Sequence, residues 1–249
     1  MRPRELGFGS LRPWPPQKCF LTQRMGIYGI STILDGWNTY LAFCARTRKG
    51  IFIDFVDQHV TRWGRALESL NVEVTAAAVT HVDTQSIEVL SLMKKMSFVS
   101  SLKVYAHAFE KLPPSIVDEN ITDGMIVDVG DLSFKCLHTP GASQGHCVFY
   151  EKTEGVAFTG DILARGGRMM KAVPDPKSNQ ESLGKLVREV SEISLLFPAH
   201  YGLTTMGAER RVNPNLMGLQ GPTLLIPAES YNQTSSYAEK NRKTKRWKL

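Results

Sequence analysis

The sequence predicts an α/β fold in which two half-domains of strands and helices pack as an αββα sandwich. One observation is the apolar run at residues 74–79, which is typical of a buried strand and leads directly into a polar loop. A second is the order of the apolar segments, because strand-like and helix-like spacings alternate as far as residue 203. A third is the length of 249 residues, which suits one such domain with an extension at each end.

The first half-domain combines strand patterns with two helix patterns. Its strands are predicted at residues 25–31, 39–45, 50–54, 74–79 and 103–106. Its helices are predicted at residues 60–70 and 87–96, where apolar side chains recur at helical spacing. In the first helix this spacing places Trp63 and Leu67 on the face that is expected to be buried.

The second half-domain contains a hairpin, further strands and one long helix. Its strands are predicted at residues 132–137, 147–150, 155–159 and 195–197. Gly130 is expected in the hairpin turn, which needs a positive φ. The helix is predicted at Ser178–Ile193, opened by a capping box of Ser178 and Glu181.

Both ends of the chain are predicted to lie outside the domain. We divide the sequence into an N-terminal arm at residues 1–25, a domain at residues 26–203 and a C-terminal extension at residues 204–249. The arm has five basic residues against one acidic residue, a balance typical of a mitochondrial transit peptide, although its four prolines oppose a continuous helix. We therefore predict a mitochondrial location, with a cytoplasmic or nuclear location as the alternative.

The extension ends in a basic tail at residues 240–249, which contains six basic residues and no acidic residue. Because the whole chain also has a net charge of +6, residues 1–239 carry no net charge. A basic block with an aromatic ring suits phosphate contacts and base stacking on RNA, whereas the alternatives are a solvated charge run and a nuclear address. The residues predicted to contact RNA are Lys240, Arg242, Lys243, Lys245, Arg246, Trp247 and Lys248.

Four short motifs occur in order along the predicted domain. They are Thr80-His81, Leu137–His146, Phe158–Asp161 followed by Gly166-Gly167-Arg168, and Phe197–Gly202. Their order and spacing resemble the metallo-β-lactamase superfamily, and within it the glyoxalase II and persulfide dioxygenase branch. The resemblance covers about residues 26–203 and implies the αββα fold of that family.

The resemblance implies a first metal position. In the active family, a carboxylate matching Asp161 bridges two ions. The first ion also takes three histidines, at the positions of His81, Asp83 and Ala142. Because Ala142 has no ligating atom, this position retains His81 and Asp161, joined by Asp83 if that carboxylate turns inward. In the family, the residue that matches Asp54 supports the metal-binding loop, which corresponds here to the loop that carries His81.

The resemblance also implies a second metal position, formed with Asp161 by the residues matching Gln85, Ser86 and His200. Here Gln85 is a neutral amide and Ser86 is a poor ligand, so the position retains only His200 and Asp161. A catalytic zinc usually takes about three protein ligands. The second position therefore has too few protein ligands for a catalytic zinc.

The remaining ligands are predicted to form one rearranged site at most. Its candidates are His81, Asp83, Asp161 and His200. Such a set suits one Zn or Fe ion, and the persulfide dioxygenase branch uses one iron. Because four of the seven family ligand positions differ, we expect no cofactor, with one Zn or Fe ion as the alternative. His138 and His146 match histidines that do not bind metal in this branch.

Two classes of function follow. The first is a non-catalytic protein that acts as a structural or RNA-contacting subunit among the other proteins of a larger assembly, such as a mitochondrial ribonucleoprotein and, concretely, the ribosome. The second is a single-metal enzyme, either a thioester hydrolase like glyoxalase II or a persulfide dioxygenase. We favour the first, because the residues that carry activity in the family are the ones that differ here. The sequence has no apolar run long enough for a membrane-spanning helix.

Overall fold

Two facing β-sheets form the middle of the molecule. The computed structural model describes residues 16–31, 37–55, 60–82, 86–95, 102–168 and 173–219. Within these residues the first sheet has seven strands and the second has six.

The strands of the first sheet lie across it in chain order. They are β1 (Gln17–Leu21), β2 (Met25–Ser31), β3 (Asn38–Cys44), β4 (Lys49–Ile53), β5 (Glu73–Ala78), β6 (Lys103–His107) and β7 (Glu119–Ile121). The last four of these strands run parallel to one another, whereas β4 is antiparallel to β3. The carboxyl ends of β4, β5 and β6 therefore lie at one edge of the molecule.

The strands of the second sheet are β8 (Ile126–Val129), β9 (Leu132–His138), β10 (Cys147–Glu151), β11 (Val156–Gly160), β12 (Leu195–Pro198) and β13 (Thr204–Thr205). Their order across the sheet is β13-β12-β11-β10-β9-β8. Because β11 and β12 are parallel, the residues that follow them emerge at the same end.

Helices cover the outer faces of both sheets. They are α1 (Val60–Leu70), α2 (Ser86–Met93), α3 (Pro176–Glu189) and α4 (Met206–Val212). Trp63 of α1 and Met93 of α2 are buried in the cluster on the first sheet, and Leu186 of α3 is buried in the cluster on the second sheet. Phe134 and Phe158 fill the space between the sheets. The predicted αββα sandwich is confirmed, and no helix of the described ranges is long and apolar enough to cross a membrane.

Helix α3 begins before the predicted capping box. Its N-cap is Asp175, whose carboxylate accepts a 3.1 Å hydrogen bond from the backbone N–H of Ser178. Pro176 follows in the first turn, where its missing N–H costs no helical hydrogen bond. The predicted cap formed by Ser178 and Glu181 is therefore wrong, because Asp175 already caps the first turn.

The fold extends beyond both predicted domain boundaries. In the segment assigned to the arm, β1 pairs antiparallel with β2, and Phe20 packs against the core. In the segment assigned to the extension, Met206 and Leu216 are buried against the second sheet and α3. These short segments carry too few apolar positions to show a period, so their packing depends on distant partners. Residues 1–15 and 220–249 lie outside the described residues.

Candidate metal centre

The loop after β5 carries His81 into the site. Behind this loop, the carboxylate of Asp54 accepts hydrogen bonds from the backbone N–H of Thr80 at 2.9 Å and from its hydroxyl at 2.8 Å. Because the Thr80 hydroxyl donates to Asp54, it accepts a 2.9 Å hydrogen bond from Nδ1 of His81. The ring therefore presents Nε2 to the site.

Asp161 follows β11 and lies between two imidazole rings. Its Oδ2 is 3.4 Å from Nε2 of His81, and its Oδ1 is 3.6 Å from Nε2 of His200. The preceding residue, Gly160, has a φ of +53°, and a Cβ there would lie 2.5 Å from Nε2 of His146. Glycine is thus needed at position 160 for the backbone to approach His146 and place Asp161.

The turn after β12 positions His200. The side-chain amide of Asn38 donates to the carbonyl oxygens of Pro198 at 2.9 Å and Tyr201 at 2.8 Å. The Tyr40 hydroxyl also donates to Pro198, at 2.8 Å. Two side chains at the start of β3 therefore hold the turn from the opposite sheet.

An indole ring covers both histidines. Trp37 stacks on His81 with ring centroids 5.7 Å apart and planes at 28°, and it meets His200 edge-on at 4.5 Å and 82°. Its backbone also forms an isolated β-bridge with His200. Both imidazoles are consequently buried, with 8% of His81 and 4% of His200 exposed. Sequence reasoning missed Trp37, because a single tryptophan before a strand does not indicate what it contacts.

The charges in the site stabilise one another. Burial by itself lowers the pKa of His81, but the hydrogen bond and charge of Asp161, with a smaller contribution from Asp54, outweigh it and leave that pKa raised. Burial likewise raises the pKa of Asp161, but the hydrogen bond of His81 and the charges of His81 and His200 leave it lowered. The site therefore favours an imidazolium beside a carboxylate.

His146 lies under this pair but is engaged elsewhere. Its Nε2 accepts a 3.2 Å hydrogen bond from the backbone N–H of Asp161, and its Nδ1 lies 2.9 Å from the Thr139 hydroxyl. Burial, together with the charge of His81, lowers its pKa to about 3. His146 is thus a neutral support with both ring nitrogens in use. His138 supports the same loop, because its Nε2 lies 2.9 Å from the carbonyl oxygen of Gln144.

The donors among the described residues do not fit a two-ion centre. Ala142 offers none, and at the second position the described residues with ligating side chains are His200 and Asp161. A single ion would be held by His81, Asp161 and His200, since two imidazoles and one carboxylate form a set that zinc and non-haem iron accept.

Asp161 lies beside both imidazoles. Nε2 of each imidazole lies 3.4–3.6 Å from a different oxygen of Asp161, and the raised pKa of His81 favours an ion pair between that ring and the carboxylate. Within the described part of the chain, no group of three or more His, Cys, Asp or Glu is arranged to hold a metal ion. Among the described residues, some buried side-chain atoms lack a hydrogen-bond partner, but none of them belongs to His81, Asp161 or His200.

Some predicted residues fall outside the structural description. Asp83 and Gln85 lie in the undescribed residues 83–85, and the predicted RNA contacts lie in residues 220–249. The helix α2 begins at Ser86, one residue before the helix predicted at residues 87–96. Sequence reasoning also missed Glu110, which no motif contains, although its side chain contacts both loops that border the site.

The sequence profile of the metallo-β-lactamase superfamily matches residues 72–200, just over half of the 249-residue chain. The chain belongs to the metallo-β-lactamase superfamily. Membership agrees with the four motifs, with the αββα sandwich and with the convergence of His81, Asp161 and His200 at one end of the sheets.

Named relatives of this metallo-β-lactamase-fold chain include members of two enzyme groups. It is 34% identical over 98 residues to the hydroxyacylglutathione hydrolase GloC of Haemophilus influenzae, covering 38% of this chain and 45% of that protein. It is 26% identical over 184 residues to the mitochondrial persulfide dioxygenase ETHE1 of Mus musculus, covering 72% of this chain and 70% of that protein. The chain thus spans about half the length of several curated relatives that it matches.

Solved structures support the same fold. The crystal structure of ETHE1 from Myxococcus xanthus superposes with a TM-score of 0.67 at 23% identity, covering 77% of this chain and 84% of that one. At this level of identity the likeness concerns the fold, and the chemistry depends on the site residues.

Proposed function

We propose that this chain is a non-catalytic metallo-β-lactamase-fold protein that serves as a structural subunit of a larger assembly. The observation that carries the proposal is the reduced donor set: among the described residues, His81, Asp161 and His200 remain at the family's ligand positions, and Ala142 stands where the family has a histidine. The two imidazoles near Asp161 offset part of the cost of burying its charge.

The basic tail and the basic N-terminal arm support the choice of assembly. Six basic residues and Trp247 in the last ten positions suit RNA, whereas residues 1–239 have no net charge. A mitochondrial ribonucleoprotein such as the ribosome therefore fits the composition of both ends. One relative, ETHE1 of Mus musculus, is named as mitochondrial.

A single-metal enzyme is the second candidate. It is favoured by the two imidazoles that lie within 3.6 Å of Asp161 and by the names of the two relatives. The substrates would then be a hydroxyacylglutathione thioester or a persulfide.

Turnover separates the two candidates. The purified chain is assayed with S-lactoylglutathione and with glutathione persulfide, alone and after addition of Zn²⁺ or Fe²⁺. The proposal predicts rates equal to those of buffer containing the same metal. Turnover that disappears in both Asp161→Ala and His200→Ala would establish the enzyme instead.

A further inference from the structure

Glu110 joins the two loops that border the candidate metal centre. It lies in the 3-10 turn Ala108–Glu110, directly after β6. Its Oε2 accepts a 2.7 Å hydrogen bond from the backbone N–H of Val82, the residue after His81. Its Oε1 accepts a hydrogen bond from the hydroxyl of Ser143, the residue after Ala142.

Glu110 also fits closely against the second loop. A Cβ on Gly145 would lie 2.8 Å from Cγ and from the backbone nitrogen of Glu110, so glycine is needed for this approach. One carboxylate therefore serves two donors from different segments. Hydrogen bonds to an ionised acceptor are roughly twice as strong as bonds between neutral groups.

The two loops are the ones that an ion would connect. The family resemblance places ligands of the first ion at His81 and at the position of Ala142, and Glu110 contacts the next residue in each loop. We infer that Glu110 is a positioning residue that replaces this cross-link, holding the loops together by hydrogen bonds where a metal ion would hold them by coordination. The inference rests on the proposed non-catalytic function, since a bound ion would make the Glu110 link redundant.

Amide hydrogen exchange on the full-length protein tests this role. The variants are Glu110→Ala, which removes both bonds, Ser143→Ala, which removes only the second, and Glu68→Ala, an exposed control on α1. Wild type is measured as purified and after dialysis against a chelator. The amide of Thr80, which is bonded to Asp54, reports whether the surrounding fold is intact. The amide of Gly141, which is bonded to the carbonyl of Ser143, reports on the second loop.

The expected result is that chelation and Glu68→Ala change none of these amides. Glu110→Ala should speed exchange of Val82 by about tenfold or more, as loss of a charge-assisted hydrogen bond predicts. Ser143→Ala should speed exchange of Gly141 and leave Val82 protected. If Glu110→Ala also speeds exchange of the Thr80 amide, that variant has disturbed the surrounding fold, and the inference is then judged on Ser143→Ala alone. An unchanged exchange rate of the Gly141 amide in Ser143→Ala would overturn the inference.

Two outcomes distinguish this inference from the proposed function. If Glu110→Ala leaves Val82 protected and chelation also has no effect, the cross-link is wrong and the non-catalytic function stands. If chelation itself speeds exchange of the Val82 amide, a metal ion holds the two loops together, and both the inference and the proposed function are wrong.

Discussion

Thr80 donates a 2.8 Å hydrogen bond from its hydroxyl to the buried carboxylate of Asp54. The same hydroxyl accepts from Nδ1 of His81, so Asp54 sets the orientation of the imidazole through Thr80. All three side chains are buried. The ring of His81 is thus held by protein groups alone, which explains how it remains directed at Asp161 in a chain that lacks several family ligands.

Replacing Thr80 by Val should destabilise the protein by about 1–3 kcal/mol, because Asp54 and His81 each lose a buried hydrogen-bond partner. Thr80→Ser is the matched control, because it keeps the hydroxyl and loses only a methyl group, worth about 0.8 kcal/mol. Urea unfolding at pH 7 gives both free energies. A loss in the Val variant no larger than that in the Ser variant would show that the hydroxyl does not support the loop.

Gly160→Ala should cost more stability than Gly166→Ala. Both glycines have a positive φ, of +53° and +70°, so both variants carry backbone strain of about 1–2 kcal/mol. At position 160 the new Cβ would also lie 2.6 Å from the Thr80 hydroxyl, whereas at position 166 it meets nothing within 4 Å. Overpacking should add about 1–3 kcal/mol at position 160. Thermal unfolding compares the two variants, and equal losses would contradict the close approach.

The stability difference between wild type and Asp54→Asn should depend on pH. Burial raises the pKa of Asp54 from 3.8 to about 6 in the folded protein. A raised pKa contributes stability that is fully present below pH 3.8 and is lost as the pH rises through about 6. Wild type should therefore lose up to about 3 kcal/mol relative to the variant between pH 4 and pH 7. Stability curves that stay parallel across this range would argue against the raised pKa.

Removing residues 240–249 should abolish binding to a single-stranded RNA oligonucleotide and leave the melting temperature unchanged. The tail carries the whole net charge of the chain, and its cations bind phosphates with release of counterions. For the full-length chain, log affinity should fall linearly with log salt, as expected for about four to six neutralised phosphates. Trp247→Ala keeps the charge and should weaken binding by about 1–3 kcal/mol if the ring stacks on a base. Equal RNA binding by the full-length and truncated chains would remove the tail from the proposed function.

The sequence predicted the features that depend on local patterns. The strand at Glu73–Ala78 and the positions of Asp161 and His200 after their strands follow from apolar spacing and short motifs. The helix cap was mispredicted, because Asp175 and Ser178 both match N-cap preferences and only the folded turn decides between them.

Contacts between distant segments could not be predicted in this way. Trp37 reaches His81 and His200 because the fold brings the start of β3 to the segments that follow β5 and β12, and Glu110 reaches Ser143 across 33 residues of sequence. Neither residue belongs to a periodic pattern or a motif. Their roles arise from the packing of the two sheets.

The metal content of the purified protein tests the central claim most directly. The full-length chain is dialysed against metal-free buffer, and Zn, Fe and Mn are quantified by elemental analysis beside His81→Ala. Because Ala142 cannot ligate and the remaining imidazoles pair with Asp161, we predict well under one equivalent of metal in wild type and the same content in the variant. One full equivalent that survives dialysis and is lost in His81→Ala would contradict the non-catalytic account.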